Sequence, residues 1–275
     1  MRLLALSLAA FLCLGVSSLY GEEAVGQREQ GWERARQYLA EGKAGEAKKL
    51  GEELLNSYPK DPDIHVLVAI ASLRLRDVQA AEVYLKKAIH LDPRHVEARM
   101  LLGWIRLEIQ RDYAAAAEQY RAVIALLPDS PEAHNNLGVA LRKKGDLDAA
   151  LAAFGRALAL RQDYGEAWSN RGWVFTEQRR WREARGDFER GLQLNPRDEG
   201  ALYGLSQALR EARDYAGAEQ ALRRLVSVSP NFVYWLEWGQ LELVRFYWLF
   251  LIVAGAVFAH SRYRKNRVRR QADGR

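Results

Sequence analysis

GEAWSNRGWVFTEQRRWREARGDFERGLQLNPRD, residues 165–198, is the stretch that decides the fold. Its marks are Trp168, Gly172, Phe175, Ala184, Phe188 and Pro196, and several of them return along the chain at a fixed interval. Alanines stand at Ala47, Ala81, Ala116, Ala150, Ala184 and Ala218, spaced by 34 residues except for one step of 35. Prolines keep the same register at Pro59, Pro93, Pro128, Pro196 and Pro230, with Gln162 in the one gap. A third series of small residues, Ala35, Ala69, Gly103, Gly138, Gly172 and Ser206, precedes each alanine by 12 or 13 positions. Three coincident series over six units mean one structural element used six times.

Each unit reads as two helices. Before Gly145-Asp146, Ala133, Leu137, Ala140 and Leu141 recur at helical spacing. After it, Ala150, Leu151, Phe154, Ala157 and Leu158 begin a second stripe. Gly138 and Ala150 are small because two antiparallel helices cross closely there. Proline cannot continue the second helix, so it sets the turn into the next unit.

The 165–198 stretch resembles the tetratricopeptide repeat family through its W-x2-L-G-x2-Y, A-x3-F and P pattern, with Arg171 standing where that pattern has leucine. The resemblance implies an all-α, right-handed superhelical solenoid of six helix-turn-helix repeats: 28–61, 62–95, 96–130, 131–164, 165–198 and 199–232. The first is degenerate, with Gly31 and Gly51 at bulky positions. The third has one extra residue between Gly103 and Tyr113, expected as a longer turn or as a bulge in the first helix. The last repeat needs a cover, and 233–244 continues the register as a capping helix with Leu236 and Gly239 facing back.

The ends are of a different kind. Arg2, the uncharged run Leu3–Val16 and the small residues before Glu22 have the layout of a signal peptide, 1–21. Phe246–Ala259 is 14 consecutive apolar residues. That is short for a ~30 Å hydrocarbon core, but aromatics (Trp235, Trp238, Tyr247 and Trp248) and a basic cluster flank it, and Arg245 can snorkel. A transmembrane helix is therefore expected over 245–261. The net charge of +6 is carried by 262–275, with seven cations and one anion, while 22–242 holds 32 cations against 34 anions. The charge is a topology signal that places the tail in the cytoplasm and the body in the periplasm, and it is not the surface patch of a nucleic-acid domain.

One cysteine, Cys13, excludes a disulfide framework or a cysteine-based zinc site. The five histidines show no metal-ligand spacing and no nucleophile-elbow, phosphate-loop or zinc-protease motif is present. Neither a cofactor nor catalysis is expected. His65 and His134 are read as packing residues.

The resemblance implies a groove lined by the first helix of each repeat. Residue by residue this gives Trp32 and Arg36; Val66 and Ile70; Met100 and Trp104; Glu132, Asn135, Val139, Arg142 and Lys143; Glu166, Ser169, Trp173, Thr176 and Glu177; then Tyr203, Gln207, Arg210 and Glu211. Such a surface suits an extended peptide or a partner helix. The lysines and the ninth-position asparagine of chaperone-binding members are absent, so chaperone C-termini are not expected ligands. The expected role is a membrane-tethered interaction scaffold in assembly or maturation of a bacterial envelope complex. Two other classes fit the same residues: a receptor subunit for an envelope polymer or glycan, and a eukaryotic tail-anchored adaptor.

Overall fold

The computed structural model describes residues 26–272, leaving aside the side chains of 242–246, 248–250, 261 and 263–272. The expected signal peptide and the last three residues of the tail lie outside the described residues. The described residues form thirteen helices and no strand: α1 (26–40), α2 (Ala44–Ser57), α3 (Pro62–Arg74), α4 (Val78–Leu91), α5 (Val96–Trp104), α6 (Tyr113–Leu126), α7 (Pro131–Lys144), α8 (Leu147–Leu160), α9 (Gly165–Glu177), α10 (Trp181–Leu194), α11 (Glu199–Glu211), α12 (Tyr215–Val228) and α13 (Phe232–Ala272). They fall into two compact units divided after Gly145.

Side chains at the helix starts explain why the helices begin where they do. Asp61, His95, Ser130 and Asp198 accept N–H groups at the starts of α3, α5, α7 and α11, while Asp77, Asp112 and Asp214 do so for α4, α6 and α12. Each satisfies a donor that has no partner inside the helix. Pro62 and Pro131 occupy the first turn, where their missing N–H costs nothing.

The turn inside each repeat has a left-handed residue. Glycine fills this place at Gly42 (φ 78°) and Gly145 (φ 91°), but arginine fills it at Arg76, Arg111, Arg179 and Arg213, with φ between 56° and 62°. For a residue with a side chain this conformation costs roughly 1–2 kcal/mol.

The small residues in the first helices make room for ring packing. A methyl group on Gly103 would lie 2.8 Å from the Tyr120 ring, and one on Gly172 would lie 2.9 Å from Phe188. Phe188 also presses on the next first helix, where a methyl on Gly204 would come within 2.3 Å. Phe188 and Tyr120 are buried as a result. The degenerate first repeat is filled partly from within and partly from the next: its own Leu54 occupies the space beside Gly31, and Val68 and Leu67 of the second repeat that beside Gly51.

The extra residue of the third repeat lies in the helix rather than in the turn. After Trp104 the backbone widens into a π-helical segment, Ile105–Ile109, and the Gln110 N–H reaches the Ile105 carbonyl at 3.0 Å. Arg171, the departure at the leucine position, makes a two-pronged bond to Asp187 (Nε–Oδ2 2.6 Å, Nη2–Oδ1 2.8 Å) and stacks over Trp168.

At the C-terminal end, α13 covers α12 and α11, but with a different face from the one expected. Leu236 is half exposed and Gly239 meets open space; Tyr234, Trp238 and Leu241 pack inward instead. Trp238 lies under Arg223, so it belongs to the cap and not to an interfacial belt. The 234, 238, 241 spacing is the helical stripe that a long first helix presents to the preceding repeat. Beyond it, Tyr247 and 251–260 are exposed. Among the described residues no helix is long and apolar enough to cross a membrane. Of the span expected over 245–261, the side chains of 245, 246, 248–250 and 261 lie outside the described residues.

Candidate functional site

The fourth residue of most first helices ties that helix to the turn six residues before it. His65 Nε2 lies 3.0 Å from the Pro59 carbonyl, Arg99 donates to Pro93 (2.8 and 3.0 Å), His134 Nε2 is 2.9 Å from Pro128, and Trp168 Nε1 donates to Gln162 at 2.8 Å. Imidazole, guanidinium and indole serve equally because the position needs a donor of sufficient reach. Burial also disfavours the charged form of His65 and holds its pKa below the usual histidine value. These side chains fix the pitch of the first helices, whose outward faces form the candidate site.

In the unit ending at Gly145, that face holds a cleft of about 380 Å³ between α1, α3 and the start of α5. Its floor is Leu67 and Ile70; its rim carries both signs of charge, with Arg36 and Arg74 opposite Asp63 and Glu97. Arg36 lies 4.6 Å over the Trp32 ring, and Trp32 Nε1 is buried with no hydrogen-bond partner. Arg74 is held by the Leu39 carbonyl. The entrance is braced by Arg28, which bonds Asp61 (2.8 Å) and Asp63 (3.1 Å). Although burial opposes it, the Arg28 guanidinium and the N–H groups of Ile64 and Asp63 keep the Asp61 carboxyl below the usual carboxylate range. Farther along, Trp104 is exposed and Met100 is half-buried.

In the other unit the face of α9, α11 and α13 is an aromatic line. The Trp173 ring meets Phe188 edge-on at 5.4 Å and Tyr203 at 6.3 Å, and Tyr203 meets Tyr234 at 5.7 Å. The Tyr203 hydroxyl donates to Glu237 at 3.0 Å; burial and this carboxylate push its pKa up. Trp173, Tyr203 and Gln207 are half-buried, each keeping a side toward solvent.

The expected groove residues divide on burial. Trp32, Arg36, Ile70, Met100, Trp104 and Val139 in the first unit, with Trp173, Tyr203, Gln207 and Arg210 in the second, retain accessible surface. Three positions are corrected. Asn135 is fully buried. Ser169 is buried because its hydroxyl donates to Asp198 at 2.8 Å, steadying the residue that caps α11. Val66 belongs to the core with Leu85 and Leu102. At these three positions the neighbouring helices cover the side chain, so the repeat position alone does not decide exposure. Tyr234 and Glu237 were missed, although carrying the groove positions one period of 34 further would have found them.

Repeated antiparallel helix pairs, each packed on its neighbours within its unit and open on the first-helix faces, define a helical-repeat protein. The chain belongs to the tetratricopeptide repeat family: the model of that repeat matches residues 69–131, 106–167, 136–181 and 169–231. Among curated proteins it is similar to the type IV pilus assembly protein PilF of Pseudomonas aeruginosa, 25% identical over 163 residues that cover 58% of this chain and 63% of that protein. The chain spans less than two thirds of the length of the first curated relatives it matches. The solved structure of Pseudomonas aeruginosa PilF matches with a TM-score of 0.69 at 18% identity, over 79% of this chain and 98% of that one. The structure of YrrB, described as a TPR protein with an unusual peptide-binding site, matches with a TM-score of 0.55 at 17% identity, over 69% and 97%. These structural likenesses concern the fold.

Proposed function

We propose that this chain is a non-enzymatic, membrane-tethered interaction scaffold that holds a peptide or helix of a partner protein on its first-helix faces, in assembly or maturation of a bacterial envelope complex. The observation that carries the reading is the cleft beside Trp32. It has an apolar floor of Leu67 and Ile70, the Trp32 ring at its side and a rim of both charges. A peptide supplies what this cleft lacks, namely side chains to bury on Ile70 and charged groups to meet its rim. The likeness to a pilus assembly protein supports the envelope setting.

Tethering is supported by the exposure of Tyr247, Leu251, Ile252, Val253, Val257 and Phe258 around α13. Apolar groups on every side of a helix, with a basic segment after them, suit a lipid environment better than water. The body then lies on the non-cytoplasmic side and the tail in the cytoplasm.

The test is crosslinking and affinity purification from native membranes, comparing wild type with Trp104→Ala and with Arg36→Glu. Neither side chain is in the core, so both variants fold. Partner recovery is expected to fall severalfold; recovery of the same partners at the same yield overturns the groove reading.

A further inference from the structure

The tight turns that join α9, α10, α11, α12 and α13 make α9, α11 and α13 parallel within this unit. The turns after α9 and α11 therefore lie at the end of the unit toward which α13 continues. In the 34-residue register Arg213 corresponds to Tyr247, so the turns are level with that residue. Leu251 to Phe258, all exposed, follow about one helical turn beyond.

At this level sit two of the left-handed arginines, Arg179 and Arg213, both exposed. Glycine would adopt this backbone without strain, as Gly42 and Gly145 do in other repeats. The neighbouring charges are engaged elsewhere. Glu183 takes Arg180 at 3.0 Å, Asp148 accepts from Gln178, and Asp214 caps Gly217 and faces Arg185. Glu211, exposed two residues before Arg213, offsets part of the charge. Two residues past each arginine stands an aromatic, Trp181 and then Tyr215, at the start of α10 and α12.

We infer that this turn edge is a membrane-docking surface, with Arg179 and Arg213 binding the anionic headgroups of the bilayer that α13 enters and Trp181 and Tyr215 lying at the interface. The proposal rests on the tethering reading above. Arginine beside tryptophan or tyrosine at the depth where an apolar helix begins is the chemistry of the headgroup layer. The residue kept at a strained turn is then the one whose charge the surface uses.

The test uses the full chain with Cys13→Ser and a fluorophore on Ala212→Cys. It is reconstituted in vesicles of phosphatidylcholine alone or with phosphatidylglycerol, each doped with a headgroup spin-labelled lipid. Quenching is expected to be stronger in the anionic vesicles, and Arg179→Gly and Arg213→Gly are each expected to weaken the docked population about fivefold. Glycine suits the left-handed turn, so these variants keep the fold. Equal quenching in both lipids, or quenching unchanged by the glycine variants, overturns the docking proposal. Carbonate extraction of the wild-type vesicles reads the tether separately. Retention in the pellet with insensitive quenching leaves the tether standing and removes the docking, whereas release into the supernatant removes both.

Discussion

The Arg171–Asp187 pair shows how one departure from the repeat pattern is absorbed. A leucine at 171 would have faced the second helix; the guanidinium instead meets a carboxylate that is only 6% exposed. Removing one partner strands a charge in a poor solvent, and this outweighs the modest gain from forming the pair. Asp187→Ala is expected to destabilise the protein by about 3 kcal/mol, and Arg171→Leu with Asp187→Leu to recover most of that loss; urea unfolding followed by circular dichroism distinguishes the two. Only half of this was legible beforehand. Arg171 was visible as an exception, but nothing in spacing pairs it with a residue sixteen positions on. Ser169 and Asn135 were misplaced for a related reason: a repeat position names the side of a helix, and side-chain length then decides whether the residue reaches the surface.

At the level of elements, helix pairs were readable because alanine, proline and the small-residue series mark crossing, exit and contact in every repeat. The site of the extra residue was not readable, since a longer turn and a wider helix have the same spacing. The π segment Ile105–Ile109 holds it, leaving Ile105 and Leu107 buried and Glu108 exposed. Such a segment relaxes to an α-helix when one residue is removed. Deleting Glu108 is expected to leave the melting temperature within a few degrees of wild type, while deleting Asn170 from the regular α9 rotates the second half of that helix by about 100° and lowers it sharply. Equal losses would mean that the segment is not a stored insertion. The inward face of α13 was misread from Leu236 and Gly239, because one period earlier Leu202 and Leu205 share a core with Leu222 and Leu225 of the second helix, and α13 is followed by no such helix among the described residues.

Across the whole molecule, the charge excess and the repeats belong to different parts of the chain, and this was plain from composition along the sequence. The cap and the exposed apolar segment share one helix, with Leu241 the last side chain buried against the repeats among the described residues. Residues 26–241 therefore carry the repeat core and its cover. Ending the chain after Leu241 is expected to give a soluble protein with unchanged far-ultraviolet helicity per residue and no need for detergent. Aggregation of that fragment under conditions where the full chain in detergent is monodisperse would show that α13 contributes more to the core than its buried face suggests. The filling of Gly51 by Val68 and Leu67 from the following repeat has a consequence for modularity. The shortfall at Gly51 is matched by bulk on the next repeat, so these two units are not interchangeable cassettes. Exchanging the first for a copy of the fifth would set a larger side chain against Val68, and drift in this chain is constrained in neighbouring pairs.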